Sequence, residues 1–294
     1  MAATPVLGRV LSAMVTPMHP DGSLDLDAAA RLASHLVDAG HDGLVVSGTT
    51  GESPTTTDAE KVRLLEAVVD AVGDRAVVVA GVGTNNTAHS VETAHAAAAT
   101  GVDGLLVVTP YYNKPPQAGL VAHFTAVADA TDLPVMLYDI PGRSGIAIAK
   151  DTYLEVAKHP NIVAVKDARA DLWLASQLME ATDLLWYSGD DAMNLAHFVN
   201  GATGFVGVTS QTSPAAYRQM ADAVLDGRWE DARTVHRALI PLVEAVMTVT
   251  QGAIMAKAAL ALQGIIPSPT VRLPLVEADP SQTAMLAARL DLTH

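Results

Sequence analysis

The sequence contains no cysteine. That removes disulfides, iron–sulfur clusters, zinc–thiolate sites and thiol nucleophiles together, and it is the usage expected of a cytoplasmic protein. Charge is also scarce: 17% of the 294 residues are Asp, Glu, Lys or Arg, while 50% are apolar, so much of the chain is expected inside a core. Positive charge is the scarcer sign, with 18 Lys and Arg against 32 Asp and Glu and a net charge of −14. An acidic surface repels phosphate backbones and anionic lipid, so neither nucleic-acid nor membrane partners are expected. There is no low-complexity tract and no long block of like charge, hence no sign of disorder. No long apolar run is uninterrupted either. The most apolar stretch, Ala238 to Ile266, is broken by Glu244, Gln251, Lys257 and Gln263, as in packed helices of a soluble protein. The opening MAATPVLGRVLSAMVTP has neither the charged start nor the apolar centre of a secretory signal. No two of the ten histidines lie two to four residues apart, so a histidine zinc site is not evident. Asp190-Asp191 could hold a cation, but adjacent acids in a strand or turn point apart. No metal and no cofactor is expected.

What is present is a repeat of short apolar runs: 9–15, 43–47, 76–82, 104–109, 134–140, 162–166, 184–188 and 204–210. Most are continuously apolar, as parallel strands buried on both faces must be. Helix-like segments separate them, at 26–39, 59–72, 88–100, 120–130, 152–158, 172–180 and 193–200. Thr57-Asp58-Ala59-Glu60 reads as a capping box. Gly40, Gly73, Gly101, Pro134 and Gly201 fall just before the next strand, where helices stop. This alternation predicts an α/β fold, a (β/α)8 TIM barrel. A doubly wound open sheet is the alternative, but no dinucleotide-type glycine motif follows the first run. After the eighth run only helical periodicity remains, at 214–226, 229–249, 252–263 and 280–290. Residues 1–228 are therefore expected to form the barrel, and 229–294 a helical extension packed on it.

Barrel active sites form at the C-terminal ends of the strands, so the ends of the runs carry the functional reading. The sixth ends in Lys166. An ammonium closing an apolar strand is costly to desolvate, its pKa falls, and the neutral amine attacks a ketone. The bland alternative is a lysine paired with a carboxylate such as Asp167. Of the six lysines, Lys61, Lys114, Lys150 and Lys158 are expected to face solvent. Lys257, within a helix, is the one rival and could snorkel. Tyr138 ends the neighbouring strand; its phenol could move protons for a carbinolamine, or could simply be a core tyrosine. Thr49 and Thr50 lie in a glycine-flanked turn that could cradle a carboxylate, or be an ordinary βα turn. Arg143 could hold a second carboxylate bidentately, or form a surface salt bridge. The combination points to Schiff-base chemistry on a small 2-oxo acid. Gly201, Gly204 and Gly207 around the eighth run are also compatible with a phosphate-binding loop, or with close strand packing.

Together, GTTGES (48–53), VTPYYNKP (108–115), YDIPGRSG (138–145), VAVKDA (163–168), SGDDA (188–192) and GFVGVTS (204–210) resemble the dihydrodipicolinate synthase family of the pyruvate-dependent aldolase superfamily, in order and spacing. The resemblance covers the whole barrel, and Thr-Thr in the turn with Arg143 favours the synthase over the N-acetylneuraminate lyases. It implies an imine between Lys166 and pyruvate, and proton relay by Tyr138 through Thr50 and a neighbouring subunit's tyrosine at the position of Tyr112. It implies that Thr49 and Thr50 hold the pyruvate carboxylate, that Gly189 and the backbone of Val206 line the pocket, and that Arg143 binds aspartate 4-semialdehyde. The reaction implied is an early step of the diaminopimelate route to lysine, in a homotetramer of tight dimers. One departure is visible. Where lysine-inhibited members use histidines and a glutamate to bind lysine, this chain has Asp58, Lys61 and His89, although Ser53, Asn85 and Tyr111 match; weak or absent inhibition by lysine is expected. The alternatives are a sister aldolase or dehydratase acting on a sugar acid, and a non-catalytic binding barrel.

Overall fold

Valine-rich runs become strands here because β-branched side chains fit a pleat covered on both faces. The computed structural model describes residues 5–290; residues 1–4 of the opening stretch and 291–294 of the extension lie outside them. The strands are β1 (Val10–Ala13), β2 (Gly43–Val46), β3 (Val77–Gly81), β4 (Gly104–Val108), β5 (Val135–Asp139), β6 (Ile162–Asp167), β7 (Leu185–Ser188) and β8 (Gly204–Gly207). All pair in parallel with their sequence neighbours, and β8 returns to β1, closing the barrel. The sheet is therefore not an open doubly wound one. Closure demands glycine at 204, where a Cβ would stand 2.0 Å from the Arg9 carbonyl oxygen.

The helices are α1 (Leu26–Asp38), α2 (Asp58–Val72), α3 (Thr87–Ala98), α4 (Gln117–Ala128), α5 (Pro141–Ser144), α6 (Lys150–Val156), α7 (Leu172–Ala181), α8 (Asn194–Val199), α9 (Pro214–Leu225), α10 (Trp229–Met247), α11 (Gly252–Leu262) and α12 (Pro280–Leu290). The capping box is present: Thr57 caps α2 while Glu60 accepts from the Thr57 amide. Alternation along each strand sends Leu11, Val45, Val79, Leu106, Met136 and Val206 into the barrel, and Leu44, Val78, Val107, Leu137 and Val165 out against the helices. The inner cluster fills the lumen, so the barrel is a packed core and not a pore.

One irregularity sets the position of the site. Val135 pairs with Ile162, but Met136 pairs with Ala164, so β6 carries an extra residue at Val163. A one-residue insertion flips every later side chain to the other face. It is this bulge that turns Lys166 inward, opposite Tyr138, and Asp167 outward, opposite Asp139.

The C-terminal helices lie against the barrel. No single helix among the described residues is long and apolar enough to cross a membrane; α10 and α11 pass such a test only as a pair bent by 115°. Lys257 does not snorkel as the helical pattern allowed. It is 0% exposed, donating to the Glu52 carboxylate and the Thr270 carbonyl, because α11 is buried on nearly every side. Lys61 is also less solvent-facing than expected: its side chain is 14% exposed and reaches Asp58 at 3.1 Å.

Candidate active site

Lys166 is 4% exposed at the end of β6, with Nζ 4.2 Å from the centroid of the Tyr138 ring. The pairing with Asp167 does not occur. On the outer face, Asp167 accepts from the Trp186 indole at 3.0 Å and from the Arg169 amide at 2.8 Å. Lys166 has no ion-pair partner among the described residues. Burial pulls its pKa down to about 8; the Asp191 carboxylate opposes this, and the Arg143 guanidinium adds to it. Gly189 leaves room for the lysine stem, since a Cβ there would stand 2.9 Å from Lys166 Cγ.

Tyr138 is buried, which pushes its phenol up to about 12; Arg143 offsets this slightly and Asp190 adds to it. It is therefore protonated at neutral pH, a donor before it is an acceptor. Its carbonyl accepts from both the amide (2.9 Å) and the hydroxyl (3.0 Å) of Thr109, which pins the end of β5 to β4. Arg143 lies on α5, a single turn between Pro141 and the left-handed Gly145 (φ 82°). It is exposed and forms no ion pair among the described residues, so the surface salt bridge of the bland reading is absent.

Thr50 is buried and Thr49 half-buried in the turn after β2. Val206 faces the lumen one residue before the end of β8. Lys166, Tyr138, Thr49, Thr50, Gly189, Val206 and Arg143 thus all occur on one rim. Tyr112 is not brought in: it is 89% exposed, with φ 73°, on the loop whose amide donates to Ser144.

Asp190 and Asp191 do point apart. Asp190 caps the short 3-10 turn Asp191–Met193. Asp191 is buried and accepts from the amides of Val208 (2.9 Å) and Thr209 (2.8 Å) and from Asn194 (3.2 Å). The amides that a phosphate loop after β8 would offer already hold a carboxylate, and Gly207 is where a Cβ would stand 2.6 Å from Asp191 Oδ1. Gly204 and Gly207 serve close packing, while Gly201 supplies a left-handed turn (φ 100°) with nothing packed against it. Asp191 as the acid nearest in influence to Lys166 is what sequence reasoning missed; its only signal was two acids at a strand end.

A cavity of about 370 Å³ lies beside the rim. Ser53, Asp58, Lys61, Asn85, His89 and Tyr111 line it. Asp58 bridges Lys61 (3.1 Å) and His89 Nε2 (2.8 Å), and these two contacts hold the Asp58 carboxyl below its usual range, His89 first.

The dihydrodipicolinate synthetase family model matches residues 6–292. A 4-hydroxy-tetrahydrodipicolinate synthase of Kineococcus radiotolerans is 58% identical over 293 residues, covering 99% of this chain and 95% of that protein. A solved dihydrodipicolinate synthase from Cyanidioschyzon merolae with lysine bound superposes with a TM-score of 0.94 at 40% identity, covering 98% of both chains. The chloride-inhibited enzyme of Acinetobacter baumannii, complexed with pyruvate, does so with a TM-score of 0.94 at 32% identity, covering 98% of this chain and 99% of that one. The chain belongs to the dihydrodipicolinate synthetase family.

Proposed function

We propose that this chain is a 4-hydroxy-tetrahydrodipicolinate synthase, a lyase that joins pyruvate to aspartate 4-semialdehyde on the route through diaminopimelate to lysine. The observation that carries this is the buried, carboxylate-free Lys166 beside the Tyr138 ring. With a pKa near 8, about one amine in ten is neutral at pH 7, against about one in three thousand for an ordinary lysine. The neutral amine adds to the pyruvate ketone. Tyr138 supplies the proton with which the carbinolamine loses water, leaving a protonated imine. That imine is itself the electron sink, so the route calls for no cofactor. Loss of a C3 proton gives an enamine, which attacks the aldehyde carbon. The amino group of the second substrate then displaces Lys166 from the imine carbon, closing the ring and freeing the amine.

Thr49 and Thr50 take the pyruvate carboxylate, with Gly189 and Val206 lining the pocket, and Arg143 takes the carboxylate of the semialdehyde. Tyr112, turned away from its own site, relays protons through Thr50 to Tyr138 of a neighbouring subunit. This supports a homotetramer built from dimers that complete each other's sites. A cytoplasmic location fits a chain without cysteine. A product assay tests the reading: pyruvate with aspartate 4-semialdehyde yields the cyclic product, whereas turnover of sialic acid or of 2-keto-3-deoxy sugar acids in its place would assign a sister aldolase.

A further inference from the structure

The turn that carries Thr49 and Thr50 is bounded by two non-glycine residues in the left-handed region, Ser47 and Glu52, both at φ 57°. Such backbone persists only where its surroundings hold it. Inside the turn the hold is light: the Glu52 amide donates to the Thr49 carbonyl and the Ser53 amide to the Gly48 carbonyl, each at 3.2 Å. Thr16 adds a hydroxyl on the Gly51 carbonyl at 2.7 Å.

The stronger hold comes from the far end of the chain. The Glu52 side chain is buried, and both its oxygens are taken: one by Lys257 Nζ on α11, the other by the Arg272 amide at 2.9 Å. Lys257 also donates to the Thr270 carbonyl at 2.6 Å. The Arg272 guanidinium donates to the carbonyls of Gly22 (2.9 Å) and Thr55 (2.8 Å) and to both oxygens of Glu60 (2.8 and 2.6 Å), the residue that closes the α2 capping box. A buried Lys–Glu pair is no better for stability than apolar residues of the same size. Its position at the strained end of the substrate turn gives it another use.

We propose that Glu52 is a positioning residue for the reaction: the grip of Lys257 and Arg272 on its carboxylate fixes the left-handed end of the turn and so presents Thr49 and Thr50 to the carboxylate of the 2-oxo acid. This role rests on the reading of Thr49 and Thr50 as that carboxylate's donors. The C-terminal helices then act on catalysis without touching substrate.

Glutamine at 52 keeps the shape but sets an NH2 donor against donors. Steady-state kinetics of Glu52→Gln and of Glu52→Gln/Lys257→Met test the role, with Thr49→Ala as the reference. In both Glu52 variants the KM for pyruvate rises about tenfold or more, while the KM for aspartate 4-semialdehyde, held from the α5 side, stays put. A merely structural role would lower Tm and the active fraction, hence kcat, and leave both KM values alone. The double variant removes both buried charges, so it recovers Tm without recovering the pyruvate KM, and it carries the test if the single variant does not fold. A raised pyruvate KM in Thr49→Ala with a wild-type value in folded Glu52 variants overturns the positioning role. An unchanged pyruvate KM in Thr49→Ala instead sinks the carboxylate reading beneath it.

Discussion

Lys166 stands directly opposite Tyr138 across the β5–β6 ladder, and it does so because β6 carries one extra residue at Val163. Without that bulge, Lys166 would fall opposite Asp139 on the helix-covered face and could not reach the rim. Two residues separated by 28 positions in sequence, the proposed nucleophile and its proposed proton donor, are thus brought face to face by a local irregularity of one strand.

The lack of a carboxylate partner makes Lys166 dispensable to the fold. Lys166→Met breaks no ion pair, and the buried Asp191 carboxylate keeps its donors from Val208, Thr209 and Asn194, so the Tm should stay close to that of the wild type. Its activity should fall by about a thousandfold or more. Thermal melting and steady-state kinetics read both; a large loss of Tm would mean that the ammonium has a structural partner.

The pKa of about 8 sets a pH profile. Free enzyme must present a neutral amine, so kcat/KM for pyruvate should rise with pH and level off above about 8. A profile still climbing at the pKa of an ordinary lysine would show that burial does not depress this amine in solution. Tyr138→Phe should lower kcat by about a hundredfold or more, with a smaller change in the pyruvate KM.

Asp139 gives a stability test of opposite character. Burial pushes its carboxyl up to about 6, against Arg169 and the Tyr153 hydroxyl. A raised pKa favours the folded state while the group is protonated, and that advantage is lost as pH rises through the folded value. The stability of the wild type relative to Asp139→Asn should therefore fall between about pH 4 and about pH 6 and be flat above. Denaturant titrations across that range measure it; a difference that grows with pH would reverse the assignment.

Much of this was legible in the chain. Continuous apolar runs and helical spacing are strong, regular signals, and all eight strands and the long helices fall where they point. The short elements α5 and the 3-10 turns at Ser53–Thr55, Asp191–Met193 and Thr209–Gln211 are too brief for periodicity to register. Lys166 and Tyr138 were readable as strand-end residues, but their facing was not, because alternation counted along β6 cannot see a bulge. Lys257 was misread because helical spacing says nothing of what packs on the polar face. Its partner Glu52 lies 205 residues away.

Tyr112 predicts complementation. If it serves the neighbouring subunit, Tyr112→Phe and Tyr138→Phe subunits are each defective alone, but a hybrid dimer holds one intact site. Random reassociation should restore about a quarter of wild-type activity. No recovery on verified mixing would place the relay within one subunit.

The cavity around Asp58 predicts insensitivity to lysine. A relative of this fold is known with lysine bound, but here the one carboxylate at Asp58 is already occupied by Lys61 and His89. A cationic amino acid would meet the Lys61 ammonium there. Activity should persist at millimolar lysine; half-maximal inhibition below a millimolar would contradict this.

The central claim is an imine on Lys166, and it is tested most directly by incubating the protein with pyruvate and borohydride and mapping the product by mass spectrometry. A pyruvate-derived adduct on Lys166, absent from Lys257 and the surface lysines, is the predicted result. Folded protein with Lys166 unmodified at saturating pyruvate would contradict it.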